Sequence, residues 1–330
     1  MNNQLTPRIN ILERNVLIDG GMNIWPQGTS RSVANNTSLF GAVLFKCNNS
    51  ASNISVTNSQ QAAIGTNKLT FSNQISKTAA GTLASGTAIN LEYGIEGQDL
   101  ERIYGNNFSI IFIVKSSVAS TRSVSIRNST GTHSYVKQYT IAAANTPQLV
   151  VLPFAALSTC PGTINRDNTL GILVDFSVIT GSGGSTFTLN QWVSGGFLSG
   201  TGEDSTWLTG TNHDFSIAGA MIIPGDWTGL TLATYDFVRA TANAQTELTA
   251  TQRYYETLSA PGITVSNPGA SPQTIRATWQ YKVTKRVTPT VTVGTGAIDN
   301  VSDGAASSYS NNVPAAGTYT TANWSADARF

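Results

Sequence analysis

Apolar and polar residues alternate along most of this chain, and a two-residue period is typical of β-strands with one buried face. Residues 170–178 carry an apolar side chain at every second position, which predicts a central strand. Residues 108–114 are apolar at almost every position, so we expect that strand to be buried on one face and largely on the other. Further strands are predicted over 122–127, 134–141, 149–154, 186–192 and 215–223.

Short strands divided by turns rich in Gly, Ser and Asn predict an all-β fold, a jelly-roll β-sandwich, over residues 15–235. Alternation resumes over residues 274–283 and predicts a smaller C-terminal β domain over residues 261–330. Residues 1–14 are polar with scattered apolar positions, and we interpret them as an N-terminal arm that docks on a neighbouring subunit.

One segment follows a helical period instead. Its small or apolar residues are spaced by four, three, four and three positions: Ala244, Leu248, Thr251, Tyr255 and Leu258. This pattern predicts one short helix inside a linker-and-helix segment at 236–260. A lone helix in a strand-rich chain is expected to pack against a sheet or around a symmetry axis.

The same segment contains the string QRYYE at residues 252–256, with Glu247 and Leu248 just upstream. This string resembles a signature of structural proteins on tailed-bacteriophage virions. Those proteins are tail-fibre or head-fibre chains built on a jelly roll that resembles a carbohydrate-binding module. Thr251 stands where that family usually has cysteine, so no role for a thiol carries over to this chain.

Other segments resemble the same family in the same order along nearly the whole chain. They include the Trp25 region, VKSS at 114–117, YTI at 139–141, the TPTVT string at 288–292 and ANW at 322–324. Some positions depart from the family: Ile113 stands where it often has Trp, and Met221 and Ile223 replace Gln and Glu. If the family binds sugars through such positions, this chain has lost them.

Composition excludes several classes of protein. Charged residues make up 11% of the chain and the net charge is +1, so we expect no nucleic-acid binding, which normally needs a basic face. No apolar run is long enough for membrane insertion, and no apolar signal segment opens the chain, so we expect folding in a cytosol. Cys47 and Cys160 allow one disulfide at most, and we favour two free, partly buried thiols.

Catalytic patterns are weak. Acidic residues cluster at Glu92, Glu96, Asp99 and Glu101, and again at Glu203 and Asp204. A glycosidase needs two carboxylates roughly 5 to 10 Å apart, but we favour solvated loops with local salt bridges to Arg102. His133 and His213 match no catalytic or metal motif. We therefore predict no enzyme activity, no cofactor and no metal site.

Three tryptophans are the candidates for ligand binding: Trp192, Trp207 and Trp227. They lie in or near loops at predicted strand ends, where a sugar can stack on an exposed ring. The alternative is that each ring closes the core at a sheet edge or lies between subunits.

Five residues of the helical segment are candidates for a structural junction: Leu248, Gln252, Arg253, Tyr254 and Tyr255. On a short helix they can form a hydrogen-bonded, stacked contact between the two β parts or between three protomers.

The resemblance implies a structural protein of a bacteriophage virion surface, assembled in the bacterial host cytoplasm as a rigid homotrimer that contacts other tail or capsid proteins. Three functions are open. The first is a tail fibre or receptor-binding module that binds host surface glycan, and the second is a head fibre or capsid decoration (cement) protein. The third is a polysaccharide-degrading tail enzyme. The jelly roll begins near the start of the chain without a long stem. This favours a compact module, and so favours the head-fibre or capsid decoration function without deciding it.

Overall fold

A computed structural model describes residues 15–50, 53–66, 68–258, 263–294, 296–321 and 323–330, without the side chains of residues 311 and 312. The arm predicted over residues 1–14 lies outside the described residues. The chain divides into two compact units, Met1–Asn243 and Ala244–Phe330. The predicted linker-and-helix segment is therefore shared between the units, and the helix opens the second one.

Fifteen strands are described in the first unit. They are β1 (Ser30–Val33), β2 (Thr37–Phe40), β3 (Phe45–Asn49), β4 (Val56–Ala62), β5 (Phe71–Lys77), β6 (Ala88–Glu96), β7 (Phe108–Ser116), β8 (Ser120–Asn128), β9 (His133–Ile141), β10 (Gln148–Phe154), β11 (Leu170–Thr180), β12 (Ser185–Thr186), β13 (Trp192–Ser194), β14 (Ser199–Gly200) and β15 (His213–Pro224). Two one-turn helices, α1 (Glu101–Tyr104) and α2 (Thr206–Thr209), and three 3-10 turns (Gly97–Leu100, Leu157–Thr159 and Ser182–Gly184) lie between them.

Two antiparallel sheets build the sandwich. The six-stranded sheet has the order β1-β4-β5-β15-β7-β10, and the seven-stranded sheet has the order β13-β9-β8-β11-β6-β3-β2. Phe112 of the first packs on Phe176 and Tyr139 of the second, with ring centroids 5.1 and 5.4 Å apart. The alternation predicted over residues 170–178 forms the long central strand β11. The predicted all-β jelly-roll fold is confirmed.

The outer face of the six-stranded sheet is apolar and covered on β7, β10 and β15. Ile111, Ile113, Met221 and Ile223 point away from the sandwich core and form a second cluster with Tyr235. Residues 225–238 supply the cover, with Trp227, Leu230 and Leu232 packed on that cluster. The apolar residues that replace polar family positions at 221 and 223 therefore lie under the chain's own cover.

A bulge in β15 helps to position this cover. Pairing with β7 shifts between Ala218 and Met221, and Gly219 has a φ of +57°. The Tyr235 hydroxyl donates a 2.5 Å hydrogen bond to the Gly219 carbonyl. A methyl group at Gly219 would lie 2.3 Å from the Tyr235 hydroxyl oxygen, so both the backbone angle and the close contact require glycine.

The second unit contains one helix and eight strands among its described residues. They are α3 (Ala244–Gln252), β16 (Tyr255–Leu258), β17 (Ile263–Ser266), β18 (Gln273–Gln280), β19 (Thr290–Thr292), β20 (Ala297–Val301), β21 (Ala305–Val313), β22 (Thr318–Thr321) and β23 (Trp324–Asp327). Three small sheets have the orders β16-β23-β19, β17-β22 and β18-β21-β20. Trp279, Tyr281 and Trp324 form the centre of one core cluster.

The predicted helical period is wrong beyond Gln252. Tyr255 and Leu258 belong to strand β16, which pairs with β23 through Tyr255–Asp327 and Leu258–Trp324. Within the helix, Ala244 is exposed, while Glu247 and Thr251 are buried. Backbone pairing with a strand far along the chain overrides the local helical spacing. The periodicity of a sequence does not show such a distant pairing.

Candidate functional site

Polar side chains cover the outer face of the seven-stranded sheet. Strand register places Lys46, Glu92, Asp175 and Ser125 directly opposite one another across β3, β6, β11 and β8. Because side chains alternate between the two faces of a strand, the apolar neighbours of these four residues point into the sandwich core. A row of charged and hydroxyl groups therefore crosses four adjacent strands.

Three of the charged residues in this row form an ion-pair cluster with Arg127 of β8. The cluster consists of Lys46, Glu92, Arg127 and Asp175. Arg127 donates from Nη2 to Glu92 Oε2 at 2.6 Å and from Nε to Asp175 Oδ2 at 2.8 Å. Lys46 forms an ion pair with the other Glu92 oxygen. Asn90 Nδ2 adds a 2.6 Å hydrogen bond to Asp175 Oδ1. Two cations and two carboxylates thus neutralise each other.

Burial and the neighbouring charges shift the pKa values of Asp175 and Arg127 in this cluster. Burial is the largest effect on Asp175 and raises its pKa to about 6, with Arg127 lowering the pKa and Glu92 raising it further. Burial lowers the pKa of Arg127, but the nearby Asp175 and Glu92 charges outweigh that effect and leave the pKa raised. Arg127 therefore stays charged, and Asp175 takes up a proton at a higher pH than an exposed aspartate does.

A covering segment, residues 182–204, contacts β8, β9 and β11 on the same face, and Trp192–Ser194 within it form the edge strand β13. Gly200 N donates to Ser123 Oγ at 3.0 Å, and Gln138 Nε2 donates to the Thr201 carbonyl at 3.0 Å. Ser177 Oγ donates to Glu203 Oε2 at 2.7 Å. Beneath the segment, Ser123, Ser125, Asp175 and Ser177 are fully buried although they point away from the sandwich core.

The uncovered part of this face is a polar groove of about 420 Å³ over β2, β3 and β6. Its lining consists of Asn36, Thr37, Ser38, Asn48, Asn49, Ser50, Ala88, Asn90, Glu92, Arg127 and Leu198. Ser38 and Asn48 lie opposite each other on β2 and β3. In the described part of the chain their side chains have no hydrogen-bond partner, so they are available to a ligand.

Such a lining can donate and accept hydrogen bonds in several directions. Amides offer both donors and acceptors, and hydroxyls do the same, while Glu92 and Arg127 add charge-assisted bonds. A second cavity of about 320 Å³ lies between residues 142–149 and 230–232 and is lined partly by Pro147, Leu149, Leu230 and Leu232. It offers fewer polar groups than the groove.

The three candidate tryptophans lie in different surroundings. Trp207 is fully buried in α2, donates from Nε1 to the Asp214 carbonyl at 3.0 Å, and has Lys77 over its ring. An exposed Trp207 ring is therefore the wrong expectation, because the ring fills the core. Trp192 is half-buried on the edge strand β13, with its ring against Tyr135 at 5.7 Å. Trp227 is half-buried in the apolar cover, and none of the three lines the groove.

The interpretation of the acidic clusters also changes. Glu92 is buried on β6 and bound by Arg127, and is not in a solvated loop. Glu101 pairs with Arg166 at 2.5 Å. Burial is the main effect on Glu203 and raises its pKa to about 7 against the opposing effect of Ser177 and Arg122. Residues brought together from positions this far apart leave no local signal in the sequence.

The exposure of Phe187 was not predicted from the sequence: this residue is 90% exposed. It lies within the predicted strand 186–192, where an apolar residue is expected to be inward. The structure forms only Ser185–Thr186 and Trp192–Ser194 as strands there, and Phe187 lies in the loop between them. A single aromatic residue in a polar segment carries no period from which its exposure could be inferred.

The histidines and cysteines form no larger constellation. His213 Nδ1 lies 3.1 Å from Ser117 Oγ, but that hydroxyl is also hydrogen-bonded to the backbone of Asp214. Cys47 and Cys160 are free thiols, and burial raises the pKa of Cys47 to about 12. Among the described residues, no group of three or more His, Cys, Asp or Glu could hold a metal ion, and no helix is long and apolar enough to cross a membrane.

The candidate junction residues are bound within the second unit. Lys285 Nζ contacts Glu256 Oε2 at 2.7 Å and the Gln252 carbonyl at 2.5 Å. The Tyr254 carbonyl accepts from Ala328 N at 2.7 Å, and the Tyr255 ring lies under the Arg329 guanidinium at 4.1 Å.

The other two candidate junction residues lie on the helix and directly after it. Leu248 is half-buried on α3, and Arg253 follows the helix and accepts from Arg286 N through its carbonyl. The QRYYE string is thus a junction of helix, strand and C-terminus, and not a continuous helical surface.

Comparison with solved structures gives similar β-sandwiches. A protein described as sugar-binding from Bacteroides thetaiotaomicron aligns with 64% of this chain and all of its own length, at 12% identity and a TM-score of 0.37. A family 11 carbohydrate-binding module from Clostridium thermocellum covers 62% of this chain and 94% of its own, at 12% identity and a TM-score of 0.29. An exo-β-agarase covers 64% of this chain and 26% of its own, at 9% identity and a TM-score of 0.32.

All three alignments have a TM-score below 0.5 and an identity of 12% or less, so these likenesses give no information on what this chain binds. No protein-family model matches the sequence, and no curated protein gives a significant match.

Proposed function

We propose that this chain is a non-catalytic, glycan-binding β-sandwich protein whose ligand lies in the polar groove. The observation that carries the proposal is the groove itself, with unpartnered Ser38 and Asn48 on the same sheet face as the fixed ion-pair cluster. Sugars present many hydroxyl groups, and a rigid array of amides, hydroxyls and charged groups can match their positions.

The absence of catalysis in this proposal rests on how the carboxylates are held. A glycosidase requires one carboxylic acid and one carboxylate on either side of the scissile bond. Asp175 is fully buried beneath the covering segment, and Glu92 is held by both Lys46 and Arg127. Neither group can approach a sugar bond from an opposite side without breaking these ion pairs.

The location proposed for this activity is the surface of a bacteriophage virion, where the chain acts as a homotrimeric tail-fibre or receptor-binding protein that contacts other virion proteins. The ordered resemblance of the QRYYE region and its companion segments supports this proposal. Labelling intact virions with an antibody against this chain tests it. Label on the tail is the expected result, and label over the head identifies a head-fibre or decoration protein instead.

A glycan array probed with the purified full chain tests the binding proposal. We compare the wild type with the double variant Ser38→Ala/Asn48→Ala and with Thr140→Ala, an exposed strand residue outside the groove. We expect the double variant to lose roughly tenfold in affinity, since each lost hydrogen bond contributes about 0.5–1.5 kcal/mol. Thr140→Ala should bind like the wild type. Binding of no glycan, or equal binding by the double variant, contradicts the proposal.

A further inference from the structure

The polar groove ends against the covering segment. Leu198 lines the groove, and the next residue, Ser199, is fully buried at the start of β14. Leu198 N donates to the Gly184 carbonyl at 2.9 Å, and Gly200 N donates to Ser123 Oγ at 3.0 Å. These bonds fix the segment both to itself and to the sheet, so this end of the groove is closed by ordered backbone.

The closed end is also tightly packed. A methyl group on Gly200 would lie 2.7 Å from side-chain atoms of both Gln138 and Leu189. Ser125 and Ser177, which continue the polar face beyond Leu198, are fully buried beneath the segment. A sugar chain that crossed the whole sheet would need the space that residues 199–203 occupy. A sugar chain that lies across the strands can therefore place its end in the groove but cannot continue past Leu198.

The charges of the groove point to the kind of sugar. Lys46 and Arg127 are matched by Glu92 and Asp175 in the ion-pair cluster. The other polar groups of the lining are neutral amides and hydroxyls. An acidic sugar would have to compete with Glu92 or Asp175 for Arg127, and removing one partner of a largely buried pair is strongly unfavourable. An uncharged sugar needs no such exchange.

We propose that the polar groove binds the terminal units of an uncharged glycan, with the chain end directed at Leu198. This inference rests on the proposed glycan binding and specifies its substrate class. The ligand enters over β2 and β3, bonds Ser38 and Asn48 at the open side, and reaches Glu92 and Arg127 at the closed side.

Calorimetric titration of the full chain with defined probes tests the charge requirement. The neutral probes are linear oligosaccharides of glucose, mannose and N-acetylglucosamine, and the acidic probes are oligogalacturonate and sialyllactose. We expect a neutral probe to bind best, with an affinity that is the same at low and high salt. If an acidic probe binds best and salt weakens it, the charge inference is overturned while glycan binding stands. If no probe binds, the proposed function itself fails.

End-labelled versions of the best neutral probe test the position of the chain end. A bulky fluorophore is attached either to the reducing or to the non-reducing end. We expect one of the two labels to reduce affinity at least tenfold and the other to leave it unchanged. Equal binding of both labelled probes shows that the chain interior is bound and overturns the inference.

A groove variant provides a second measurement. Leu198→Trp places a larger side chain at the closed end of the groove and should weaken the neutral probe at least tenfold, whereas Thr140→Ala should not. Thermal unfolding of each variant checks that the sandwich is intact. A folded Leu198→Trp protein with wild-type affinity contradicts the placement of the chain end.

Discussion

Arg127 Nε donates a 2.8 Å hydrogen bond to the carboxylate of Asp175, whose side chain is completely buried although it points away from the sandwich core. Arg127 also lines the polar groove together with Glu92, and Lys46 pairs with Glu92. The same contacts thus stabilise the sheet and define the charge of the candidate binding site.

Arg127→Met should destabilise the first unit by about 3 kcal/mol, because it leaves Asp175 buried without its cationic partner. Urea denaturation followed by tryptophan fluorescence measures the change. The double variant Arg127→Met/Asp175→Asn should recover part of the loss, since it removes the unpaired charge as well. A loss below about 1 kcal/mol in the single variant would show that Asp175 is solvated in the folded protein.

Glu203→Gln should change how stability depends on pH. Burial raises the pKa of Glu203 to about 7 in the folded protein from its ordinary value of 4.5, so the folded state holds the proton more tightly than the unfolded state. The wild type therefore loses stability as pH rises from about 4.5 to 7, by about 1.4 kcal/mol for each unit of the difference.

The variant cannot ionise and should lack this contribution. Arg122, Tyr139 and Asp204 are the other charged or titratable groups near this carboxyl. Unfolding free energies at pH 5 and pH 8, taken for both proteins, give the test. If the difference in unfolding free energy between the wild type and the variant is the same at both pH values, the Glu203 carboxyl is not buried and protonated in the folded protein.

Trp207→Ala should lower stability by about 3–5 kcal/mol, because the ring is fully buried and its removal leaves a cavity. Phe187→Ala is the matched control, since that side chain is 90% exposed and should change stability by less than about 0.5 kcal/mol. Thermal unfolding of both variants measures the effect. Equal melting temperatures for the two would show that Trp207 is not in the core.

Lys285→Met should destabilise the second unit by about 3 kcal/mol, because Glu256 then remains buried without its partner at 2.7 Å. The Lys285 side chain is 0% exposed and that of Glu256 is 2% exposed, so water cannot replace the lost contact. Burial lowers the pKa of Lys285, and the hydrogen bond and charge of Glu256 oppose that shift. Denaturation monitored at the second unit should show the loss, and Arg276→Met, in an exposed ion pair, should show almost none.

The homotrimer is a further prediction, which follows from the resemblance to virion proteins. Native mass spectrometry of the full chain should give a mass three times that of one 34.8 kDa chain. A permanent trimer buries a large interface and should persist on dilution. A mass of one chain at all concentrations refutes the prediction.

The β-sandwich could be predicted from the sequence because a strand with one buried face shows a local alternation of apolar and polar residues. The period over residues 170–178 gave β11, and the nearly continuous apolar run at 108–114 gave a strand that is buried on both faces. The structure shows why the second face of this strand is also buried: residues 225–238 cover it.

The helix and the tryptophan site show where local patterns are insufficient. Tyr255 has helical spacing to Leu248 but pairs as a strand with Asp327, because the backbone partner lies at the other end of the unit. Trp207 lies in a loop-like sequence, yet a one-turn helix directs its ring into the core. Sequence position near a strand end does not determine which way a ring points.

What the sequence determined by itself was therefore the long apolar strands such as β7 and β11, the low charge and the all-β class, since each depends on neighbours within a few residues. Tertiary structure decided the candidate site. Arg127 contacts Glu92 from 35 residues away and Asp175 from 48 residues away, and Leu198, from a later part of the chain, lines the same groove as Arg127 and Glu92. Strand order and register set these encounters, and both are properties of the folded sheet as a whole.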